Sequence, residues 1–467
     1  MQSDGISYLD MGDAMMRGDW HMALNGYWSP LYPLMLGASE RMVRARRVDE
    51  FTTVHFVNYV IFLICFICFD YFLRELWRTT SARRTSSEDE RRLPEWMFFS
   101  LGYAIFGYVV LSMIGMDRVS PDLLMAAFVF LAIGFLVRIR TTAVSWREFA
   151  LLGICLGLGY LAKAPMLPLA ILVAMIASFA ARARTIFARV CVIAVPFVMI
   201  AGSWIAAVSM NHGRLIVSES GRINFILWVN HASPSWYFQD PGTARGAYLH
   251  SVRKLCSRPD VYEFASPLKG TQPIWYDPSY WTAGVGPRIV YGAWIQQVVR
   301  QLRAYARMIL REHLLLIAGF VSMAAVSRSW RWPGRVVALT VWVPALACMA
   351  MYAAVVVETR YVAVFFILIW SGLLTALLPP RSAANARLFA AGWARLLRAT
   401  VVAEVPDSDR GLFFSCSDRD REHVIRVFRA LGVRAIVAER VDAAAPFATG
   451  GQWVNGGSSR FAFLLLQ

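Results

Sequence analysis

The stretch FTTVHFVNYVIFLICFICFDYFLRELWRTTSARRTSSEDERR, residues 51–92, decides how the chain is read. Its first half, about 52–73, is apolar over the length that crosses a bilayer, for which a helix needs roughly 20 residues. Its second half carries six arginines: Arg74, Arg78, Arg83, Arg84, Arg91 and Arg92. An apolar run closing on an arginine cluster reads as a transmembrane helix that ends in the cytoplasm, because Lys and Arg in short loops mark that side.

The same alternation continues along the chain. Apolar stretches near spanning length lie at about 52–73, 97–115, 120–137, 148–162, 163–180, 186–208, 313–327, 335–357 and 361–378, which makes nine expected spans. VRIRTTAVSWRE, ARARTIFAR and SRSWRWPGR each hold three arginines, whereas the alternate short loops hold only Arg118, Lys163 and Arg360. Every second loop therefore marks the inner side. This places residues 1–51, the turns near 116–121, 163 and 358–360, and the segment 209–312 on the outer face.

Composition agrees. Of 467 residues, 57% are hydrophobic and 17% charged, against about a quarter charged in soluble domains. The net charge of +16 sits mainly in loop clusters, so no nucleic-acid partner is expected. Cys65, Cys68, Cys155, Cys191 and Cys348 lie in apolar runs, and the CxxC at 65–68 has no charged neighbours, so packed thiols are expected there. No basic-then-apolar leader opens the chain.

The expected fold class is a mainly α, polytopic membrane protein with a small C-terminal α/β unit. Residues 1–51 form an outer-face segment with an interfacial helix, 52–208 the first half of the bundle, and 209–312 an outer aromatic-rich loop. Residues 313–380 supply the last three spans and 381–467 a cytoplasmic α/β unit. In that unit GLFFSCS, RAIVAE and RFAFLLLQ read as strands, and DREHVIRVFRALGV has helical apolar spacing up to Gly432.

The ionisable residues at the outer membrane edge are few: Asp4, Asp10, Asp117, Asp122, Lys163, Glu358 and Arg360. Charges beside hydrocarbon are costly and point to function. Converging helix ends would gather carboxylates and cations in one cavity. Cations there would hold a phosphate leaving group, and a carboxylate would take the proton of a nucleophile. Structural roles suit the same residues. Asp122 follows Ser120-Pro121 at a helix start, where an acid complements the helix dipole, and Lys163 and Arg360 have the stems of snorkelling anchors. Asp10, Asp13 and Asp19 read as the wet face of an amphipathic stretch.

The order of these features resembles the GT-C glycosyltransferases, multi-spanning enzymes that use polyprenyl-phosphate sugars, among them protein O-mannosyltransferases and aminoarabinose transferases. Asp4 with Tyr8 four residues on, a Ser-Pro-Leu-Tyr-Pro segment, SPDLL with Asp122, GLGYLAKAPMLPL with Lys163, and ETRYVAVFF with Glu358, Arg360 and Tyr361 carry the likeness over roughly residues 1–380. The resemblance implies that Asp4 is the catalytic base or part of an acceptor-activating site and that Asp122 positions the acceptor or a divalent metal ion. It implies that Lys163 and Arg360, with Tyr361, bind the donor's lipid phosphate, and that Glu358 orients Arg360 or faces the sugar. The implied partners are a polyprenyl-phosphate sugar donor, membrane lipid and an acceptor of unspecified kind. The implied place is an inner (plasma) membrane, with the site on its periplasmic or extracellular side. Members of the family begin with a spanning helix before the first acidic loop, so such a helix is expected upstream of Asp4.

In the long outer segment, NFILWVNHASPSWYFQDPG and GTQPIWYDPSYWTAG are dense in aromatic rings. Such rings stack on sugars and also favour the bilayer interface. Trp236, Trp275, Tyr276, Asp277 and Trp281, with Tyr8, are the candidates for a substrate-facing lid. His212, His231 and His250 lack ligand spacing, so no histidine metal site is expected. The alternative function is a transporter or flippase of lipid-linked sugars. It predicts paired mid-span helix breakers, and Pro168 and Pro344 do not form such a pair.

Overall fold

The computed structural model describes residues 3–44, 49–81, 93–142, 145–179, 185–230, 252–257, 260–264, 277–282, 286–327, 334–377, 435–439, 453–455 and 461–465. The described residues are mostly helical. In chain order the helices are α1 (Ser3–Arg17), α2 (Trp20–Ala23), α3 (Leu31–Val43) and α4 (Glu50–Ser81). Then come α5 (Glu95–Ile114), α6 (Asp122–Thr141), α7 (Trp146–Ala162), α8 (Met166–Ser178) and α9 (Ile186–His212). The series closes with α10 (Ser220–Trp228), α11 (Pro278–Trp281), α12 (Tyr291–Glu312), α13 (Leu314–Ser327), α14 (Arg335–Ala353) and α15 (Thr359–Leu374).

Each of the nine apolar runs contains a helix among the described residues. Five helices, α4, α5, α6, α9 and α14, are long and apolar enough to cross a membrane, and a sixth span results if α12 and α13 count as one broken crossing. α8 and α15 are apolar but shorter. The segment 209–312, expected as a loop, instead contains α10, α11, the long α12 and a hairpin of β1 (Val252–Ser257) with β2 (Asp260–Phe264). The four arginines of α12 hide it from a hydropathy reading, although its apolar residues keep helical spacing.

The chain divides into two compact units. One comprises Met1–Glu90, Val109–Leu310 and Trp332–Ala376, and the other Arg91–Tyr108, Arg311–Arg331 and Leu377–Gln467. In the second unit Tyr108 donates its hydroxyl to the Glu312 carbonyl at 2.7 Å. There β3 (Ala435–Glu439) and β4 (Trp453–Asn455) flank β5 (Phe461–Leu465), both antiparallel to it. β3 and β5 fall where RAIVAE and RFAFLLLQ are expected to form strands, whereas no strand is expected at β4. GLFFSCS and the stretch before Gly432 expected as a helix lie outside the described residues.

The first unit is built around α4 and α6. Phe69 and Phe72 of α4 meet Phe130 of α6 at centroid distances of 5.0 and 6.1 Å, all three rings fully buried. Polar groups fix the two ends of this pair. At one end Asn58 donates to the carbonyls of Met116 and Arg118 (3.0 and 2.9 Å) and accepts from Tyr32 of α3 at 2.8 Å. At the other, buried Glu75 accepts from Arg78 and from Arg138 at 3.2 Å. Seventeen residues separate Asn58 from Glu75, a rise of about 25 Å and so most of a hydrocarbon core.

The N-terminal segment folds back as a helical pair. α1 crosses α3 where Gly12 faces Gly37. A Cβ on Gly12 would lie 2.6 Å from the Pro33 carbonyl, and one on Gly37 would lie 2.5 Å from the Gly12 carbonyl. No larger residue permits that approach. Below this crossing α1 buries Tyr8, Met11, Ala14 and Met15, while Asp13 and Asp19 stay exposed. Asp4 and Tyr8, expected in a loop, stand one helical turn apart on α1, so they share a face.

Candidate functional site

Four helices of the first unit begin at one cavity. Asp122 is the first residue of α6, and Pro121 caps it. Lys163 breaks the chain between α7 and α8, with extended backbone (φ −159°, ψ 130°), and Pro165 then starts α8. Glu358, also extended, precedes α15, which places Arg360 and Tyr361 in that helix's first turn. Ser220 opens α10. The cavity has a volume of about 350 Å³, and Asp4, Tyr8, Asp122, Lys163, Arg360 and Tyr361 all line it. Helix N-termini carry partial positive charge and free N–H groups, so their convergence favours a bound anion.

The charged floor is a connected network. Lys163 donates through Nζ to Asp122 Oδ1. Ser120 donates its hydroxyl to Asp122 Oδ2 at 2.5 Å and accepts from the Asp122 N–H at 3.2 Å. Arg360 is buried and reaches three carboxylates: Asp4 through Nη2 at 3.1 Å, Glu358 through Nε at 3.2 Å, and Asp122 across 3.8 Å from Nη1. The Lys163 ammonium also lies 3.9 Å from the centroid of the Tyr361 ring, a cation–π contact.

The carboxylates differ in kind. Asp122 has only 2% of its side chain exposed and is saturated by Lys163, Ser120 and Arg360. It fixes the two cations and has no open face toward a substrate. Asp4 is 23% exposed and pairs with Arg360, so it is the carboxylate that can exchange partners. Tyr8, on the same face of α1, is buried against Trp28 and Tyr32. Burial pushes its hydroxyl well above the ordinary range, and the Asp4 and Asp122 charges push it the same way. Tyr8 is therefore a neutral donor at any physiological pH.

A neutral polar wall stands beside this floor: Tyr27, Ser29, Ser218, Ser220 and Asn224. Asn224 donates to the Tyr27 hydroxyl at 3.2 Å and to the Ser220 carbonyl at 2.8 Å. Buried Glu219 anchors the wall. Its N–H meets the Gly26 carbonyl at 2.8 Å, and it accepts from Arg214 (2.9 Å) and Arg222 (2.5 Å). Burial opposes that charge, yet the two arginines hold the carboxyl below its usual range. An apolar side completes the cavity, with Leu167, Pro168, Met351, Tyr352, Val355 and Val356. A charged end, a hydroxyl-and-amide wall and an apolar side suit an amphiphile with a charged head and a polyhydroxyl group.

The structure thus brings Asp4, Tyr8, Asp122, Lys163, Arg360 and Tyr361 together, with Glu358 bonded to Arg360 behind them. It does not bring Asp277 there. That side chain is buried as the cap of α11, accepting from the Ser279 N–H at 3.1 Å. Trp281 is the last residue of α11, and Trp236, Trp275 and Tyr276 lie outside the described residues. Ser120, Tyr27, Ser218, Ser220, Asn224 and Tyr352 are additional members. Ser120 was visible in SPDLL, two residues before Asp122; neutral residues in the others leave no charge signal.

Among the described residues no three His, Cys, Asp or Glu side chains converge as a metal site. Asp4 and Asp122, the pair expected to share a divalent ion, already face Lys163 and Arg360, so a dication between them would meet both cations. The donor set does not fit such an ion. Comparison of the chain with known protein families, curated proteins and solved structures finds no match.

Proposed function

We propose that the chain is an integral-membrane glycosyltransferase of the GT-C kind, which moves a sugar from a polyprenyl-phosphate donor to an acceptor at the outer face of an inner (plasma) membrane. The supporting observation is the single cavity in which Lys163, Arg360 and four helix N-termini stand beside the exchangeable carboxylate of Asp4. In the full architecture all nine apolar helices cross or enter the bilayer, the cavity faces outward, and residues 381–467 form an α/β unit in the cytoplasm.

The donor phosphate takes the place of Asp4 on Arg360 and is held by Lys163 as well. Asp4, released, accepts the proton of the acceptor hydroxyl. The acceptor oxygen forms a bond to the anomeric carbon from the face opposite the phosphate. The bond from that carbon to the phosphate oxygen breaks, and its electron pair leaves on polyprenyl phosphate, where the two cations stabilise it. The anomeric configuration inverts. Asp122 and Glu358 hold Lys163 and Arg360 in place. Tyr8 and the wall of Tyr27, Ser218, Ser220 and Asn224 address sugar hydroxyls, and the apolar side accommodates the start of the prenyl chain.

The test is a panel of polyprenyl-phosphate sugars offered to the reconstituted protein with candidate acceptors. One donor should be consumed with formation of a new glycosidic bond, and Asp4→Asn should abolish this without loss of protein from the membrane. Retention of full activity in Asp4→Asn rejects the assigned base. A transporter or flippase of lipid-linked sugars is the second reading. It requires the lipid-linked sugar to change leaflet chemically intact.

A further inference from the structure

α12 (Tyr291–Glu312) presents three faces rather than two. At about 100° per residue, Trp294, Gln297, Gln301, Tyr305 and Met308 fall on one third of its circumference, and this third packs on the protein. Its polar groups are matched to backbone. Trp294 donates to the Ala354 carbonyl at 2.9 Å, Gln297 to Val355 at 2.8 Å and Tyr305 to Met349 at 2.9 Å. Gln301 accepts from the Val357 N–H at 2.9 Å. A second third is apolar and uncovered: Tyr291, Ile295, Leu302 and Leu310 are 72, 62, 54 and 63% exposed. The last third carries Arg300, Arg303 and Arg307, all exposed. The apolar and basic stripes flank the packed face symmetrically, each about 120° from it.

The height of this helix follows from its partners. Met349, which Tyr305 grips, lies four residues before the end of α14, one of the helices long and apolar enough to span. That is about 6 Å along the helix axis. Ala354, Val355 and Val357, held by the other three side chains, lie in the connection just beyond that end. α12 therefore runs at the level where a spanning helix leaves the hydrocarbon, the 5–10 Å depth at which interfacial helices settle.

We infer that α12 is a membrane-surface helix that binds anionic phospholipid: Tyr291, Ile295, Leu302 and Leu310 rest on the acyl chains while Arg300, Arg303 and Arg307 engage headgroup phosphates. Lateral packing on the protein leaves one stripe facing down and the other up, as a bilayer boundary requires. A soluble acidic partner would match the arginines but leave the apolar stripe in water. This inference rests on the spanning helices and not on the transferase reading.

The test uses the full chain in nanodiscs and spin-labelled phosphatidylglycerol, with spin-labelled phosphatidylcholine as reference. The variant R300Q/R303Q/R307Q should bind phosphatidylglycerol at least about fivefold more weakly than the wild type, the equivalent of one arginine–headgroup contact, with phosphatidylcholine unchanged. The lost increment in the wild type should also vanish at about 1 M salt. Equal phosphatidylglycerol affinity in wild type and variant overturns the proposal. A second measurement leaves the arginines intact: a nitroxide at Leu302→Cys should be accessible to oxygen and shielded from a water-soluble nickel chelate. Accessibility to the chelate, or spin–spin broadening that reveals a second copy on this face, overturns it equally.

Discussion

At the scale of single residues, the cavity separates carboxylates by what already holds them. Asp122 is buried between two cations, so Asp122→Asn takes from Lys163 the carboxylate to which it donates. Breaking a buried pair in this way costs about 3–5 kcal/mol, and the thermal midpoint in detergent should fall accordingly. Asp4→Asn, at a partly exposed position, should lower the midpoint less than Asp122→Asn does yet stop turnover. A variant pair with equal midpoints contradicts the division of roles. The charged members were legible in the sequence because so few ionisable groups remain beside the apolar runs. Ser218, Ser220, Asn224 and Tyr27 were not, because neutral polar residues are common in any connection and only the fold shows which of them meet.

Glu40 of α3 supplies the pH-dependent term. Burial, then the Glu50 and Asp13 charges, raise its carboxyl from 4.5 to about 7, and one of its oxygens is buried without a hydrogen-bond partner among the described residues. The folded state thus holds this proton more tightly than the unfolded one. Stability should fall as pH rises from the ordinary carboxylate range through about 7. Glu40→Gln should flatten that slope and raise the thermal midpoint at pH 8 relative to the wild type, with little difference at pH 4. A wild-type slope unaltered by the substitution would show that other groups set it.

At the scale of elements, the crossing of α1 and α3 sets where Asp4 stands. Gly12→Val drives a side chain into the Pro33 carbonyl, and overpacking of this kind costs about 1–3 kcal/mol. Because Asp4 lies on the same helix, the variant should also lose activity, whereas Gly18→Ala, at a position with open space, should disturb only the turn after α1. The apolar helices were legible from hydropathy alone. α12 was not, since hydropathy averages its arginines with its leucines and isoleucines; only reading the residues by angle separates the three faces.

For the whole molecule, the arginine-rich connections and the cavity should lie on opposite sides of the membrane. Reporter fusions or tags inserted within residues 82–92 should be protected from impermeant reagents applied outside, and a cysteine at Ser29 or Ser218 should react. The reverse pattern would turn the bundle over and remove the donor-side argument. The spans themselves follow from composition, but which of nine apolar helices cross fully depends on their length: α8 has 13 residues and α15 has 16, short of the usual requirement unless the bilayer thins or the helices pair with others.

Asp4, Asp122 and Glu358 outnumber Lys163 and Arg360, and the partial charges of the helix N-termini act only across a turn, so the vestibule projects no long-range cationic field. In the transferase proposed above, recognition begins only when a phosphate trades places with the aspartate at contact range. Donor capture should accordingly be nearly indifferent to added electrolyte, and its rate should be governed by how often the first turn of α1 lets go.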